Sequence, residues 1–341
     1  MMDYQKIGVV GAGAWGTALA QTLAMAGRDV TLWAHEPEAV AAILADHENR
    51  TYLPNVQLDA RIKATTKLAE IAQNDALLMV VPAQFMGGTA RQLARHLAPG
   101  TPAVICSKGI EIESGKLLTQ VLADALPTAR LAAVSGPSFA IEVANGLPAA
   151  VTLACADKEL AHQLAKAITH RNLRVYLSDD LTGVEVGGAI KNVLAIAAGI
   201  VEGKRLGKSA HAALITRGFA EMMRFGRALG ARRETLEGLS GLGDLVLTCS
   251  SSTSRNMSFG HALGEGQSVL EYEASRNSIT EGKYTAIPVV RIARQHGIEM
   301  PICEAVRNII WAGVDGENFP TLSVDDAIEG LLSRPMKVEK E

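Results

Sequence analysis

Lys191 stands in the middle of VGGAIKNVLAIAAG, residues 186–199, where every neighbour except Asn192 is small or apolar. An ammonium group in such surroundings is drawn toward neutrality by desolvation, and by any second cation nearby. That is the condition under which a lysine serves as general acid or base near neutral pH. At helical spacing its face includes Gly187, Gly188, Leu194 and Ala195. The paired glycines predict a hollow through which a ring or a small substrate approaches the ammonium. A lysine that snorkels to solvent, or pairs with a structural carboxylate, fits the local pattern equally well.

Farther along, LSGLGDLVLTCSSSTSRN at 239–256 places Gly241 and Gly243 around a turn into Asp244. A run of hydroxyls then leads to Ser254, Arg255 and Asn256. Arginine beside serine and asparagine makes a phosphate clamp through charge-assisted, often bidentate bonds. The alternative is a serine-rich surface loop with one solvated arginine. Two more stretches follow expected strands, at the end where ligands of doubly wound sheets gather. CSKGIE carries Lys108, and VSGPSFA carries Gly136, Ser138 and Ala140 at a Gly-Pro turn opening a helix. Loop chemistry alone would account for either.

VVGAGAWGTALA supplies G-x-G-x-x-G as Gly11, Gly13 and Gly16, directly after an apolar run and at the start of a helical pattern. In that context the three glycines serve, in turn, a tight turn, close approach of a pyrophosphate, and helix–strand packing. The helix N-terminus then offers free N–H groups to phosphate. At the end of the second strand, where an acidic residue would hold a ribose 2′-hydroxyl, stand Ala34 and His35. Nothing there repels a 2′-phosphate and His35 can donate to one, whereas Glu36 keeps NADH open. NADPH is the favoured cofactor.

Elements must hold these groups in place. The chain has 341 residues, 48% hydrophobic and 20% charged, with a formal net charge of −3. That is enough for two domains, and it argues against a nucleic-acid partner, which selects basic surfaces. Four scattered cysteines without metal-ligand spacing suggest free thiols in a reducing compartment, and no metal site is expected. The apolar run at 184–201 contains Glu185, Lys191 and Asn192, so stable membrane insertion is not expected. Three glycines interrupt the N-terminal apolar run, which therefore belongs to the fold and not to a signal peptide.

Up to Asp180 the pattern alternates. KIGVV, DVTLWA, DALLMVVP, PAVICSK, LAAVSGP, AAVTLAC and LRVYLSD read as strands, separated by helical periods. After Asp180 only helical periods follow, the first two at about 180–203 and 209–230. The expected fold is α/β: a Rossmann-like, mostly parallel sheet with helices on both faces over 1–178, then an all-α domain over 179–341. The boundary falls at SDD, 178–180, which offers helix-capping side chains, and KVEKE at the end reads as a frayed tail.

In order along the chain, GAGAWGTALA, SKGIE, SGPSFA, GGAIKNVLAIAAG, LITRGFAEM, GLGDLVLTC and SRN together resemble the soluble bacterial NAD(P)-dependent glycerol-3-phosphate dehydrogenases. The resemblance implies reduction of dihydroxyacetone phosphate to sn-glycerol 3-phosphate in the cytoplasm, feeding phospholipid synthesis. By the family's pattern Lys191 is the general acid/base. Lys108, Gly136, Ser138, Asp244, Ser254, Arg255 and Asn256 line the substrate site. Ala14, Trp15, His35, Lys108, Ala140, Arg255, Ile279 and Glu281 lie at cofactor contacts, beside the three fingerprint glycines. Hydride would pass to C2 while Lys191 protonates the oxygen, with Lys108 depressing its pKa, Asp244 orienting it and Asn192 supporting the network. A homodimer is compatible with this reading. Two rivals remain: a related dehydrogenase of 3-hydroxy acids, with Arg255 on a carboxylate, and a dinucleotide-sensing regulator without turnover.

Overall fold

The first apolar run becomes the centre of a sheet. In the computed structural model, which describes residues 4–275, 279–311 and 322–334, β1 (Lys6–Val10) leads into α1 (Ala14–Met25), β2 (Asp29–Trp33) and α2 (Pro37–Asp46). Then come β3 (Lys63–Thr65), α3 (Leu68–Ile71), β4 (Ala76–Met79), α4 (Met86–Leu93), β5 (Pro102–Ile105) and α5 (Leu118–Ala125). The series closes with β6 (Arg130–Ser135), α6 (Ala140–Ala144), β7 (Ala149–Ala154), α7 (Lys158–Ile168) and β8 (Leu173–Ser178). The strands form one eight-stranded sheet in the order β3-β2-β1-β4-β5-β6-β7-β8. Every pairing is parallel except β6 with β7, where Val134 faces Leu153 antiparallel.

Because side chains alternate across a strand, the sheet feeds two cores. Ile7 and Val9 pack with Leu19 and Leu23 of α1 and Leu160 and Leu164 of α7. Val10, Leu77 and Met79 pack on the other face with Met86 and Leu93 of α4 and Leu122 of α5. Strands buried on both sides read as continuous apolar runs, which is why they are visible in the sequence. β3 escapes that reading, being short and lacking an apolar run. So does α5, although a parallel step from β5 to β6 demands a crossover.

Among the described residues no strand follows β8. α8 (Leu181–Gly203), α9 (Lys208–Ala228), α10 (Arg233–Glu237), a π-type turn at Leu239–Gly243, α11 (Asp244–Cys249) and α12 (Arg255–Gly264) come next. They are followed by α13 (Val269–Ala274), α14 (Glu281–Gln295), α15 (Pro301–Ile310) and α16 (Val324–Leu332). The KVEKE tail lies outside the described residues. α8 begins because Asp180 caps it, its carboxylate accepting from the Gly183 N–H at 2.8 Å. From Gly183 to Val201 every residue of α8 is buried. It is the one helix among those described that is long and apolar enough to cross a membrane, but other helices enclose it.

The contact between α8 and α12 is unusually close. A Cβ added at Gly260 would lie 1.9 Å from the Ile196 carbonyl oxygen, and one at Gly199 would lie 2.1 Å from that of Met257. Only glycine lets these backbones meet, and the approach brings the first turn of α12 beside Lys191 and Asn192.

Candidate active site

The turn after β1 has the shape that a dinucleotide needs. Gly11 adopts φ +120 with the end of β4 packed beneath it, and a Cβ at Gly16 would lie 1.8 Å from the Gly11 carbonyl oxygen. Gly13 meets nothing within 4 Å, and as N-cap of α1 it leaves the first N–H groups without a side-chain cap. A phosphate fits that open, electropositive end. Ala14 opens α1, and the buried Trp15 Nε1 has no partner among the described residues. Beyond β2, Ala34 is buried and His35 is exposed. Glu36 accepts a hydrogen bond from the Tyr52 hydroxyl at 3.3 Å.

A second cluster forms where α8 meets the carboxyl ends of the strands. Lys191 is 6% exposed; its Nζ donates to Asp244 Oδ1 and, at 2.8 Å, to Thr248 Oγ1. Asp244 and Thr248 sit one turn apart on α11, so both reach the same ammonium. The other carboxylate oxygen of Asp244 accepts from Lys108 Nζ at 2.5 Å. Lys108 comes from the loop after β5 and also donates to the Gly136 carbonyl oxygen at 3.2 Å. Ser138 Oγ donates to the same carbonyl at 3.0 Å. One carboxylate thus lies between two ammonium groups.

Burial acts on both signs of charge here. It lowers Lys191 from 10.5 to about 7, with Lys108 adding repulsion, although Asp244 opposes the shift. Burial alone would raise Asp244, but the two lysines outweigh it and hold the carboxyl below its ordinary value. The arrangement keeps an ionised acceptor beside a lysine whose proton is loosely held.

The hollow expected beside Lys191 is largely filled, leaving only a small cavity at Gly188. A Cβ at Gly187 would lie 2.4 Å from the Ser240 carbonyl oxygen. One at Gly188 would lie 2.9 Å from Ser135 Oγ and 3.2 Å from Lys108 Cγ. Protein fills the space that the glycines leave, and they let the turn before Asp244 and the stem of Lys108 close on α8. Sequence spacing identifies the missing side chains but does not say what occupies their place.

At the N-terminus of α12, the Ser254 hydroxyl is its cap, accepting from the Met257 N–H at 3.3 Å. Arg255 is exposed in the first turn. Asn256 is buried, donating to Asn192 Oδ1 at 3.0 Å and accepting from the Gly282 N–H at 2.9 Å. Asn192 therefore orients Asn256 through its side chain, in place of the support for Lys191 expected of it. Next to Gly282, Glu281 Oε1 accepts from the Ala83 N–H at 3.1 Å, while its buried Oε2 has no partner among the described residues. Burial raises this carboxyl to about 7, against the pull of Ala83 and Arg255. Ile279, half-buried, precedes α14, and Ala140 opens α6.

Lys108, Gly136, Ser138, Lys191 and Asp244 are thus joined by direct hydrogen bonds, and Asn256 connects to α8 and α14 through its own. No hydrogen bond or ion pair joins Trp15 or His35 to this cluster among the described residues. Thr248 was missed by sequence reasoning. Its signal was its position four residues after Asp244, which matters only once α11 is known to start at that aspartate.

Two family models match the chain: the NAD-dependent glycerol-3-phosphate dehydrogenase N-terminus over residues 6–161 and the C-terminus of the same family over 180–321. Similar curated proteins include a glycerol-3-phosphate dehydrogenase [NAD(P)+] of Parvibaculum lavamentivorans, 58% identical over 99% of both chains. One of Maricaulis maris is 56% identical over 99% of both. A crystal structure of glycerol-3-phosphate dehydrogenase from Coxiella burnetii, 39% identical, superposes with a TM-score of 0.91, covering 97% of this chain and 99% of that one.

Proposed function

The chain belongs to the NAD-dependent glycerol-3-phosphate dehydrogenases, and from that membership we propose that it reduces dihydroxyacetone phosphate to sn-glycerol 3-phosphate in the cytoplasm, supplying phospholipid synthesis. Residues 1–178 form the coenzyme-binding domain and 179–341 the substrate and catalytic domain, with each lending residues to the other's site. When bound, the nicotinamide supplies the hydride that C2 of the substrate accepts. The chain's own residues position the carbonyl and deliver the proton.

Gly11, Gly13 and Gly16 with the N-terminus of α1 hold the pyrophosphate, and Ala14, Trp15, Ala140, Ile279 and Glu281 complete the coenzyme contacts. NADPH is preferred, because Ala34 leaves no carboxylate at the end of β2 and the exposed His35 can meet a 2′-phosphate. Arg255, with the first turn of α12, grips the substrate phosphate, so that remote binding energy aligns the carbonyl. Lys191 gives its proton to the C2 oxygen as charge develops there, and Asp244 keeps the ammonium aimed. Lys108 donates to the same region and weakens the hold of Lys191 on its proton.

The observation that carries this reading is the buried ammonium of Lys191 on the Asp244–Thr248 pair, with a second lysine on the far side of the carboxylate. The test is to follow loss of nicotinamide absorbance when NADPH and dihydroxyacetone phosphate are mixed with the protein, and again with Lys191→Met. We expect turnover in the first case and a loss of about a hundredfold or more in kcat in the second, with coenzyme still bound. Near-normal turnover by the variant would remove Lys191 from its role.

A further inference from the structure

α5 has a helix start that its own sequence satisfies only in part: the Leu117 N–H donates to Gln120 Oε1 at 3.1 Å, but the Thr119 N–H finds its acceptor elsewhere. The residue at its N-cap is Leu117, which has no side-chain oxygen to accept from the exposed N–H groups of the first turn. The acceptor comes from α8. Glu185, 7% exposed, takes the Thr119 N–H on Oε1 at 2.9 Å and the Thr119 hydroxyl on Oε2 at 2.5 Å. Thr119 lies in the first turn of a coenzyme-domain helix, and Glu185 lies on the helix that carries Lys191. Glu185 also lines a small cavity with Lys108, Ser135 and Gly188. Clasp and reaction centre therefore share one seam between α8 and the strand ends. Burial pushes the Glu185 carboxyl up to about 7, against the pull of the Thr119 and Leu118 donors, so the chain keeps a costly group where a leucine would pack more cheaply.

We propose that Glu185 is a positioning residue for the reaction: by capping α5 from the opposite side of the seam, it fixes α8 in the place where Lys191 meets Asp244 and Lys108. The inference rests on Lys191 being the proton donor. It explains why an acid sits in the buried, mostly apolar stretch of α8, and it assigns the acid no contact with substrate or coenzyme.

The experiment begins with Lys191→Met. Normal turnover in that variant would defeat the reading of the site, and Glu185 would have nothing to position. With Lys191→Met inactive, Glu185→Leu is expected to lower kcat about tenfold or more through misplacement of the lysine, while the NADPH Kd stays unchanged. The alkaline fall in rate should also move to higher pH. Lys191 is faced by Asp244, Thr248 and Cys249 from α11, which packs on α8, and by Lys108 from the β5 loop; a lysine displaced from Lys108 and from burial, but keeping Asp244, holds its proton more tightly. Glu185→Gln, whose amide can meet both Thr119 groups, should restore kcat and the pH midpoint. Thr119→Val removes half the clasp at a half-buried position and should shift the midpoint in the same direction with a smaller loss. An unchanged kcat and midpoint in Glu185→Leu would overturn the proposal, as would a Glu185→Gln variant as slow as the leucine. If Glu185→Leu fails to fold, Thr119→Val decides: a displaced midpoint supports the clasp, and an unmoved one ends it.

Discussion

A lysine buried against an aspartate would ordinarily hold its proton more firmly than a free one. Lys191 does the reverse because desolvation and Lys108 together outweigh the attraction of Asp244. The pH dependence follows with a definite sign. With Lys191 as the proposed proton donor, reduction would need the protonated amine, so its rate should be full below about 7 and fall as pH rises through that value, while oxidation of glycerol 3-phosphate should show the opposite limb. Asp244→Asn removes the attraction and should move the fall to lower pH; Lys108→Met removes the repulsion and should move it to higher pH. Rate profiles for both variants, measured against the parent, check the pair; shifts in one common direction would contradict it. At this scale much was legible. A charge among alanines and glycines announces itself, and so does Arg255 after a run of hydroxyls. What lay beyond reading was the filling of space: Gly187 and Gly188 signal proximity, but only coordinates say that Ser240 and Lys108 are the neighbours.

The longer helices were legible as periods, α5 was not, and the contacts between helices were not. Nothing local in Gly260 distinguishes it from Gly88, yet the first lies against a carbonyl and the second meets nothing within 4 Å. Gly260→Ala should therefore destabilise the protein by about 1–3 kcal/mol through overpacking. Gly88→Ala, inside α4, should be neutral or stabilising by about 0.4–1 kcal/mol, because it restricts the unfolded chain. Urea unfolding of the two variants measures the contrast, and equal midpoints would refute the close crossing of α8 and α12. The same limit applies to caps. Asp180 before α8 is local and was readable, whereas α5 in part, and α15, are capped from other helices. Glu221 of α9 accepts from the Ile302 and Cys303 N–H groups at 2.7 and 3.1 Å, across a sequence gap that no local pattern bridges.

Across the whole molecule, the alternation of strands and helices followed by helices alone was plain in the sequence, because the first half keeps switching between apolar runs and helical periods and the second keeps to helical periods. The seam between the halves was not, since it depends on pairs such as Lys108 with Asp244 and Ala83 with Glu281 that lie far apart in the chain. Arg255, near Glu281 and at the head of α12, belongs to this scale because the proposed phosphate grip would act on a substrate held between both halves. Arg255→Ala should raise the KM for dihydroxyacetone phosphate by about tenfold to a hundredfold while leaving unphosphorylated dihydroxyacetone nearly unaffected. Comparing the two substrates checks this, and an equal loss on both would argue against a phosphate grip. The enclosure of α8 has a further consequence for biosynthesis. On the ribosome this greasy rod emerges well before α12, α14 and α15, which cover it in the finished protein. A nascent chain halted ahead of residue 255 would present to chaperones and bilayers an apolar surface of membrane-spanning length, interrupted by Glu185, Lys191 and Asn192. Translation products cut at that point should accordingly pellet or bind vesicles, whereas the full-length product stays in solution.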